Sequence, residues 1–349
     1  MMRQYADLHV HMSKLDFRQG DMTLNVVEGM GNTRAALQSL TYRSVLYNLW
    51  LLYWKQHYKR MELSVFGMIH DRDLYQNIPY EKQAQALLDM GCDGVKLMFD
   101  PHSRKVYGYG LNDPRMDKMF TLLEEQNIPV LIHVNDPEHM WVKRIPTEEE
   151  IKRDWCYFFD GYLSKQEIYD ETFAMLDKHP KLRVTFAHFF FQSAFMDEAK
   201  RIMETYPNVN FDLTPGQGMF KSFSEDIDAW QAFFEKYSER IFYGTDTNNT
   251  KDFNAEIHLL VRQALTYSKT AEFKIPCYGG FDIKGLDLSE GALNNIFSDN
   301  YDRWVGKPKA VNIALWQQAA ARVLADISCL ETEEMQTAAD FLRQLMERM

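Results

Sequence analysis

Short apolar runs of the kind that form parallel strands recur along this chain, separated by longer stretches whose apolar residues fall at helical spacing. Ala6 to Met12 reads as a first strand and Thr23 to Val27 as a second. From about Thr33 to Tyr58, the placement of Leu40, Val45, Leu49, Leu52 and Tyr53 predicts a long amphipathic helix. Further strands are predicted over Leu63–Ile69, Gly94–Met98, Ile128–Val134, Leu182–His188, Val209–Leu213 and Arg240–Gly244. Helical patterns accompany them at Tyr80–Met90, Pro114–Gln126, Lys165–Lys178, Ser193–Thr205, Ser224–Tyr237 and Asn254–Ser268.

Strands alternating with helices imply parallel pairing through right-handed crossovers. An open, doubly wound sheet would satisfy the same alternation. Chemistry-capable side chains, however, end the first, fourth, fifth, sixth and eighth strands, and only a closed barrel brings all those ends to one face. The expected fold is an α/β (β/α)8 TIM barrel over residues 1–306. A long loop follows strand five (Asp136 to Ser164), and a helical extension over 307–349 packs on the barrel's outside. The loop carries Trp141, Trp155, Tyr157, Phe158 and Phe159, a set that suits either a lid or a contact between two copies in a homodimer. A second long connection, Thr270 to Leu288, contains Tyr278-Gly279-Gly280-Phe281 and leads to a helix capped by Ser289.

Composition narrows the classes. Hydrophobic residues make up 46% of the chain, enough for a large core, and the net charge of −11 argues against a nucleic-acid surface. The four cysteines are scattered without a CxxC pair, so neither a disulfide framework nor a zinc ribbon is expected. No apolar run is long enough for a membrane span and the first residues do not read as a signal peptide, so a cytoplasmic protein is expected.

Candidate chemistry begins with His9 and His11, which flank Val10 in a strand and so share a face. With ten histidines in the chain, composition alone yields roughly 0.3 such pairs, so the pair by itself is weak evidence. Its company changes that. His133 ends Val130-Leu131-Ile132, His188 ends Thr185-Phe186-Ala187, and Asp246 closes Phe242-Tyr243-Gly244-Thr245. Imidazoles and a carboxylate at strand ends need partners or a cation. Lys96 ends the fourth strand. Asp7 reads either as a support for the metal ligands or as a strand-edge aspartate. His57, His179 and His258 receive structural readings, while His70, His102 and His139 follow strands and could line a pocket.

Asp7-Leu8-His9-Val10-His11, Val130-Leu131-Ile132-His133, Ala187-His188 and Phe242-Tyr243-Gly244-Thr245-Asp246 together resemble the strand-end motifs of the amidohydrolase superfamily. The resemblance runs from about residue 6 to 306. It is closest to the amidohydrolase-related branch, which includes hydrolases and decarboxylases of the aminocarboxymuconate-semialdehyde type. Asn300-Tyr301-Asp302-Arg303-Trp304-Val305-Gly306 is similar to that branch's closing motif, with Tyr301 and Asp302 departing from its small residues. The resemblance implies that His9, His11, His133 and Asp246 hold one divalent ion, expected to be Zn2+. It also implies that His188 stands beside the water or substrate and that Asp246 serves as base as well as ligand. For Lys96 the resemblance leaves three readings open: a carbamate bridging two metals, an ammonium that binds a substrate carboxylate, which is preferred, or a solvent-facing side chain. The expected activity is hydrolysis of a C–O or C–N bond in a small, carboxylated substrate. Decarboxylation by the same site is the alternative, and a barrel that binds without catalysis is the remaining one.

Overall fold

The computed structural model describes residues 3–40, 45–69, 78–216, 218–251, 254–275, 280, 282–328 and 332–349. The N-terminal half runs β1 (Tyr5–His11), α1 (Phe17–Gly29), β2 (Asn32–Gln38), α2 (Leu46–His57), β3 (Glu62–Met68), α3 (Tyr80–Met90), β4 (Gly94–Phe99), α4 (Pro101–Tyr107), α5 (Pro114–Glu125) and β5 (Pro129–Val134). It continues with α6 (Glu148–Lys152), α7 (Lys165–Lys178), β6 (Arg183–Phe186), α8 (Met196–Thr205), β7 (Val209–Asp212), α9 (Met219–Glu225), α10 (Ile227–Tyr237), β8 (Ile241–Phe242), β9 (Thr247–Asn248) and α11 (Asn254–Thr266). A small hairpin of β10 (Glu272–Phe273) and β11 (Ile283–Lys284) precedes α12 (Glu290–Asn294), α13 (Asn300–Trp304), α14 (Ile313–Ser328) and α15 (Glu333–Arg348).

The strands form one parallel sheet in the order β8-β7-β6-β5-β4-β3-β2-β1-β9. The chain from Ile241 to Asn248 supplies both ends of that sheet: β8 pairs with β7, and β9 pairs with β1. Between them the Tyr243 carbonyl accepts the Leu8 backbone N–H at 3.0 Å. The eighth stave is thus one segment broken at 243–246, and the sheet closes as a TIM barrel.

Two expectations near the N-terminus are corrected. Residues 23–27 lie in helix α1, not in a strand, and the second strand is Asn32–Gln38, inside the stretch expected to be helical. In α1 the buried residues are Gly20, Thr23, Leu24 and Val27, the i, i+3, i+4, i+7 spacing of a helix face, and the Asp16 carboxylate caps its start by accepting the Gln19 N–H. A Cβ at Gly20 would come within 2.5 Å of the Trp54 ring, so glycine lets α1 and α2 approach. In β2, Ala35-Ala36 are good helix formers, but a place between β1 and β3 overrides that weak preference. Residues 41–44 of that stretch, His70, and Tyr278, Gly279 and Phe281 of the second long connection lie outside the described residues.

Inside the barrel, Ala6, Leu8, Ala36, Phe66, Leu131 and Phe242 form a separate apolar cluster with Tyr301 and Trp304 of α13. The segment similar to a family closing motif therefore plugs the mouth where the strands begin. Asn300 Nδ2 donates to the Ser238 and Ile241 carbonyls, and Asp302 pairs with Arg34. With that end filled by hydrocarbon, open chemistry is left to the strands' C-terminal ends.

The connection after β5 is anchored near that open end: Tyr157 Oη donates to Asp136 Oδ2 at 2.6 Å, and Trp141 Nε1 donates to the Leu163 carbonyl at 3.0 Å. At the other extreme of the chain, α14 lies on α2, where Trp316 Nε1 donates to the Leu49 carbonyl at 3.0 Å. Among the described residues, no helix is long and apolar enough to cross a membrane.

Candidate metal centre

β1 delivers two imidazoles to one spot because its register slips. Asp7 pairs with Ala35 and Val10 with Leu37, so β1 spends one residue more than β2 over the same length. Such a bulge re-aims side chains. Asp7 sits under it, fully buried, accepting the His9 N–H at 3.0 Å, the Thr245 N–H at 3.2 Å and the Thr245 hydroxyl at 2.6 Å. Its burial removes the reading of Asp7 as an exposed strand-edge aspartate. Burial raises its pKa to about 7 against those hydrogen bonds.

His9 Nε2 and His11 Nε2 lie 3.0 Å apart, and Asp246 Oδ1 is 3.1 Å from His11 Nε2 and 3.9 Å from His9 Nε2. All three ligand-capable atoms fall within 4.8 Å of one another. Asp246 reaches them because it occupies the break in the eighth stave with φ +56°, a left-handed conformation that turns its carboxylate out of strand phase. Burial and the neighbouring Lys96 hold the His9 pKa well below its ordinary value, and burial lowers that of His11. Burial opposes ionisation of Asp246, but Lys251 (Nζ to Oδ2, 3.0 Å) and His11 override it and keep the carboxylate charged.

The donor set fits a divalent cation. Two buried imidazole nitrogens 3.0 Å apart, with a carboxylate oxygen beside them, are nitrogen and oxygen ligands of the kind such an ion takes. A hydrogen bond from behind orients His9 for ligation. Its Nδ1 lies 2.8 Å from Asp212 Oδ2, which places the proton on Nδ1 and frees the Nε2 lone pair.

His133 and His188 lie beside that group without joining it. Their rings are 4.7 Å apart, and the His188 ring is 5.8 Å from that of His9. His133 Nε2 is engaged by the Asn135 carbonyl at 3.0 Å, with Asp136 Oδ1 at 3.7 Å. His188 Nδ1 faces the Thr214 carbonyl at 3.2 Å, and its backbone N–H donates to Asp212 Oδ1 at 2.9 Å. Burial lowers both imidazoles to a pKa of about 4. The sixth strand ends early, at Phe186, because His188 to Phe191 follow in left-handed backbone with φ between 53° and 56°. Packing of Phe189 and Phe190 in the core, and Tyr169 Oη donating to the Phe190 carbonyl at 2.8 Å, hold this strained turn.

Lys96 is buried with Nζ 3.5 Å from His9 Nε2, which removes the solvent-facing reading. Burial brings its pKa down to about 8, against the pull of Asp212 and Asp246. Two residues at the site went unread in the sequence. Asp212 follows Val209-Asn210-Phe211 at a strand end, the same signal that marked the histidines, and Lys251 lies five residues past Asp246. Of the other histidines, His258 is buried between the Tyr243 hydroxyl at 2.6 Å and the Thr247 hydroxyl at 3.2 Å. His179 lies beside Glu124 and Asp117, and His102 beside Asp154.

An amidohydrolase family model, Amidohydro_2, matches residues 41–307 of this chain. No curated protein sequence matches it. The fold is similar to that of an amidohydrolase II, with TM-score 0.55 at 15% identity over 87% of this chain and 99% of the other. A 2,6-dihydroxybenzoate decarboxylase from Rhizobium is similar at TM-score 0.53 and 14% identity, with the same coverage of 87% and 99%. A 5-carboxyvanillate decarboxylase from Novosphingobium aromaticivorans, complexed with manganese and 4-hydroxy-3-methoxy-5-nitrobenzoic acid, gives TM-score 0.51 at 13% identity over 87% of this chain and 96% of the other.

Proposed function

This chain belongs to the amidohydrolase family, and from that premise we propose that it is a divalent-metal-dependent hydrolase of a C–O or C–N bond in a small carboxylated substrate. The observation that carries the reading is the meeting of His9 Nε2, His11 Nε2 and an Asp246 carboxylate oxygen within 4.8 Å at the open end of the barrel. A cation bound there polarises a carbonyl and acidifies water. His133, with its ring 4.7 Å from that of His188, is the further candidate ligand, and Zn2+ the expected ion.

The remaining steps belong to the protein's own groups. His188 has Nδ1 turned to a carbonyl, so Nε2 is its basic nitrogen; neutral at pH 7, it accepts the proton of the attacking water. Asp246 stands at the rim, with side-chain exposure of 26%, where it can orient that water. Lys96, as an ammonium, pairs with a substrate carboxylate in a buried place where few waters screen it. Phe191, with its ring 5.3 Å from that of His188 and 5.6 Å from that of His133, gives these two imidazoles an apolar neighbour.

One observation favours non-oxidative decarboxylation as a second reading. Lys251 occupies Asp246 Oδ2 and keeps that carboxylate well below the usual range, which weakens it as a proton acceptor. Decarboxylation needs a donor to carbon instead, and Lys96 is a protonated group within the site. Two of the similar structures are decarboxylases.

Metal analysis of purified chain, followed by turnover of a panel of carboxylated esters, amides and aromatic acids in isotopic water, tests both. About one ion per chain is expected. Solvent oxygen in the product marks hydrolysis; CO2 release with solvent deuterium on carbon and no solvent oxygen marks decarboxylation. Protein that folds and turns over without any metal would overturn the proposal.

A further inference from the structure

His9 and His11 present the same atom to the centre but differ in what stands behind them. His9 Nδ1 rests on Asp212. His11 Nδ1 is buried and has no hydrogen-bond partner among the described residues. Imidazoles that ligate metals usually donate their second ring N–H to an acceptor, which fixes tautomer and ring orientation.

Two residues flank His11 in the sheet: Gln38 on β2 and Asn248 on β9, each paired to it in register. Side chains at paired positions of neighbouring strands leave the same face of the sheet. Asn248 is already engaged, its Nδ2 donating to Ser13 Oγ at 3.1 Å and its Oδ1 accepting the Thr250 N–H at 3.2 Å. Gln38 is not. Its side chain is fully buried, and among the described residues neither its amide nitrogen nor its amide oxygen has a partner. It lies two residues beyond Ala36, a member of the barrel's inner cluster, so it points inward at the level of His11.

Leaving a buried polar group unpaired costs about 1–3 kcal/mol, so adjacent orphans of complementary type are a strong pointer to each other. Resting on the metal reading above, we infer that Gln38 is the positioning residue for His11: its Oε1 accepts the proton of His11 Nδ1, so that His11 Nε2 presents its lone pair to the cation. Gln38 thus does for His11 what Asp212 does for His9, without a second negative charge beneath the site. A glutamine side chain is long enough to reach across the ~4.8 Å that separates neighbouring strands.

The test is metal affinity of the full chain, measured for Zn2+ and for Mn2+ by competition with a chromophoric chelator, in wild type, Gln38→Leu, Gln38→Glu and His11→Ala. Gln38→Leu should weaken binding by about 10- to 100-fold. Gln38→Glu should restore affinity to within a few-fold of wild type, a rescue that a merely space-filling role would not give. Where Leu disturbs the circular dichroism spectrum, Gln38→Met replaces it, having similar length and no acceptor. Wild-type affinity in the Leu or Met variant, with His11→Ala impaired, overturns the role of Gln38 and leaves the metal reading intact. A wild-type chain that binds neither ion overturns both.

Discussion

Asp212 holds His9 from behind: its Oδ2 lies 2.8 Å from His9 Nδ1, and both side chains are buried. The other oxygen, Oδ1, accepts the His188 N–H at 2.9 Å and the Thr214 hydroxyl. One carboxylate therefore orients a candidate ligand and anchors the strained turn that carries a candidate base. Asp212→Asn keeps the shape but places a donor where an acceptor is needed. It should weaken metal binding by about 10- to 100-fold; a chelator titration with unchanged affinity would remove Asp212 from the centre.

Asp246 stands at the open edge of the site, so replacing it leaves no cavity in the core. Asp246→Asn is expected to lower kcat by roughly 10²-fold or more while the thermal midpoint of the metal-free chain stays nearly constant. Full turnover in the variant would end its assigned role.

In the metal-free chain burial brings Lys96 down to about 8, so its ammonium is present below that pH and lost above it. Lys96→Met should raise KM for a carboxylated substrate more than for an uncharged analogue of the same shape; equal effects on the two would remove Lys96 as the carboxylate's partner. Intact-protein mass showing a carboxylated lysine, with two metal ions per chain, would instead make Lys96 a bridge.

His258 is held neutral: burial, then the Arg262 charge, lower its pKa to about 3 from the ordinary 6.5. In the unfolded chain it binds a proton below 6.5, so stability is complete above that pH and lost as pH falls toward 3. The nearby Asp7 carboxyl, raised to about 7, acts in the opposite sense, but it is present in both proteins when a variant is compared. The stability difference between wild type and His258→Gln should climb by up to about 1.4 kcal/mol per pH unit between pH 4 and 6.5, then level off. Denaturant melts that give a constant difference would show that His258 is not a buried neutral imidazole.

Phe191 closes the left-handed turn with φ +53°. Phe191→Ala and Phe191→Gly lose the same ring contacts but differ in backbone strain. Because a left-handed residue with a Cβ costs about 1–2 kcal/mol, the glycine variant should be the more stable by roughly 1 kcal/mol. The reverse order, normal at regular helix and strand positions, would contradict the turn.

Much of this barrel is legible along the chain because its signals are local. Tyr80–Met90 and Lys165–Lys178 are helices over the spans that their spacing predicts. Strands three to seven begin within a residue of expectation, since apolar runs bounded by charged helices need no distant partner to be seen. The second strand was hidden because Ala35 and Ala36 prefer a helix when isolated, and Gln38 was hidden with it. Asp212 carried the same strand-end signal as His133, and only its contact with a histidine 203 positions away makes it part of the site.

By itself, then, the sequence determined most of the alternation of elements, put His9, His11, Lys96 and His133 on strands, and put His188 and Asp246 where strands run out, because a period of two reports which face a side chain takes. Which of them meet was decided in three dimensions. Closing the sheet through the broken 241–248 segment brings Asp246 to the imidazoles of β1, whereas a carbonyl two residues on engages His133. Periodicity encodes direction; the distances depend on closure, on the bulge at the start of the barrel and on the rotamers that buried hydrogen bonds select, and those are properties of the whole fold.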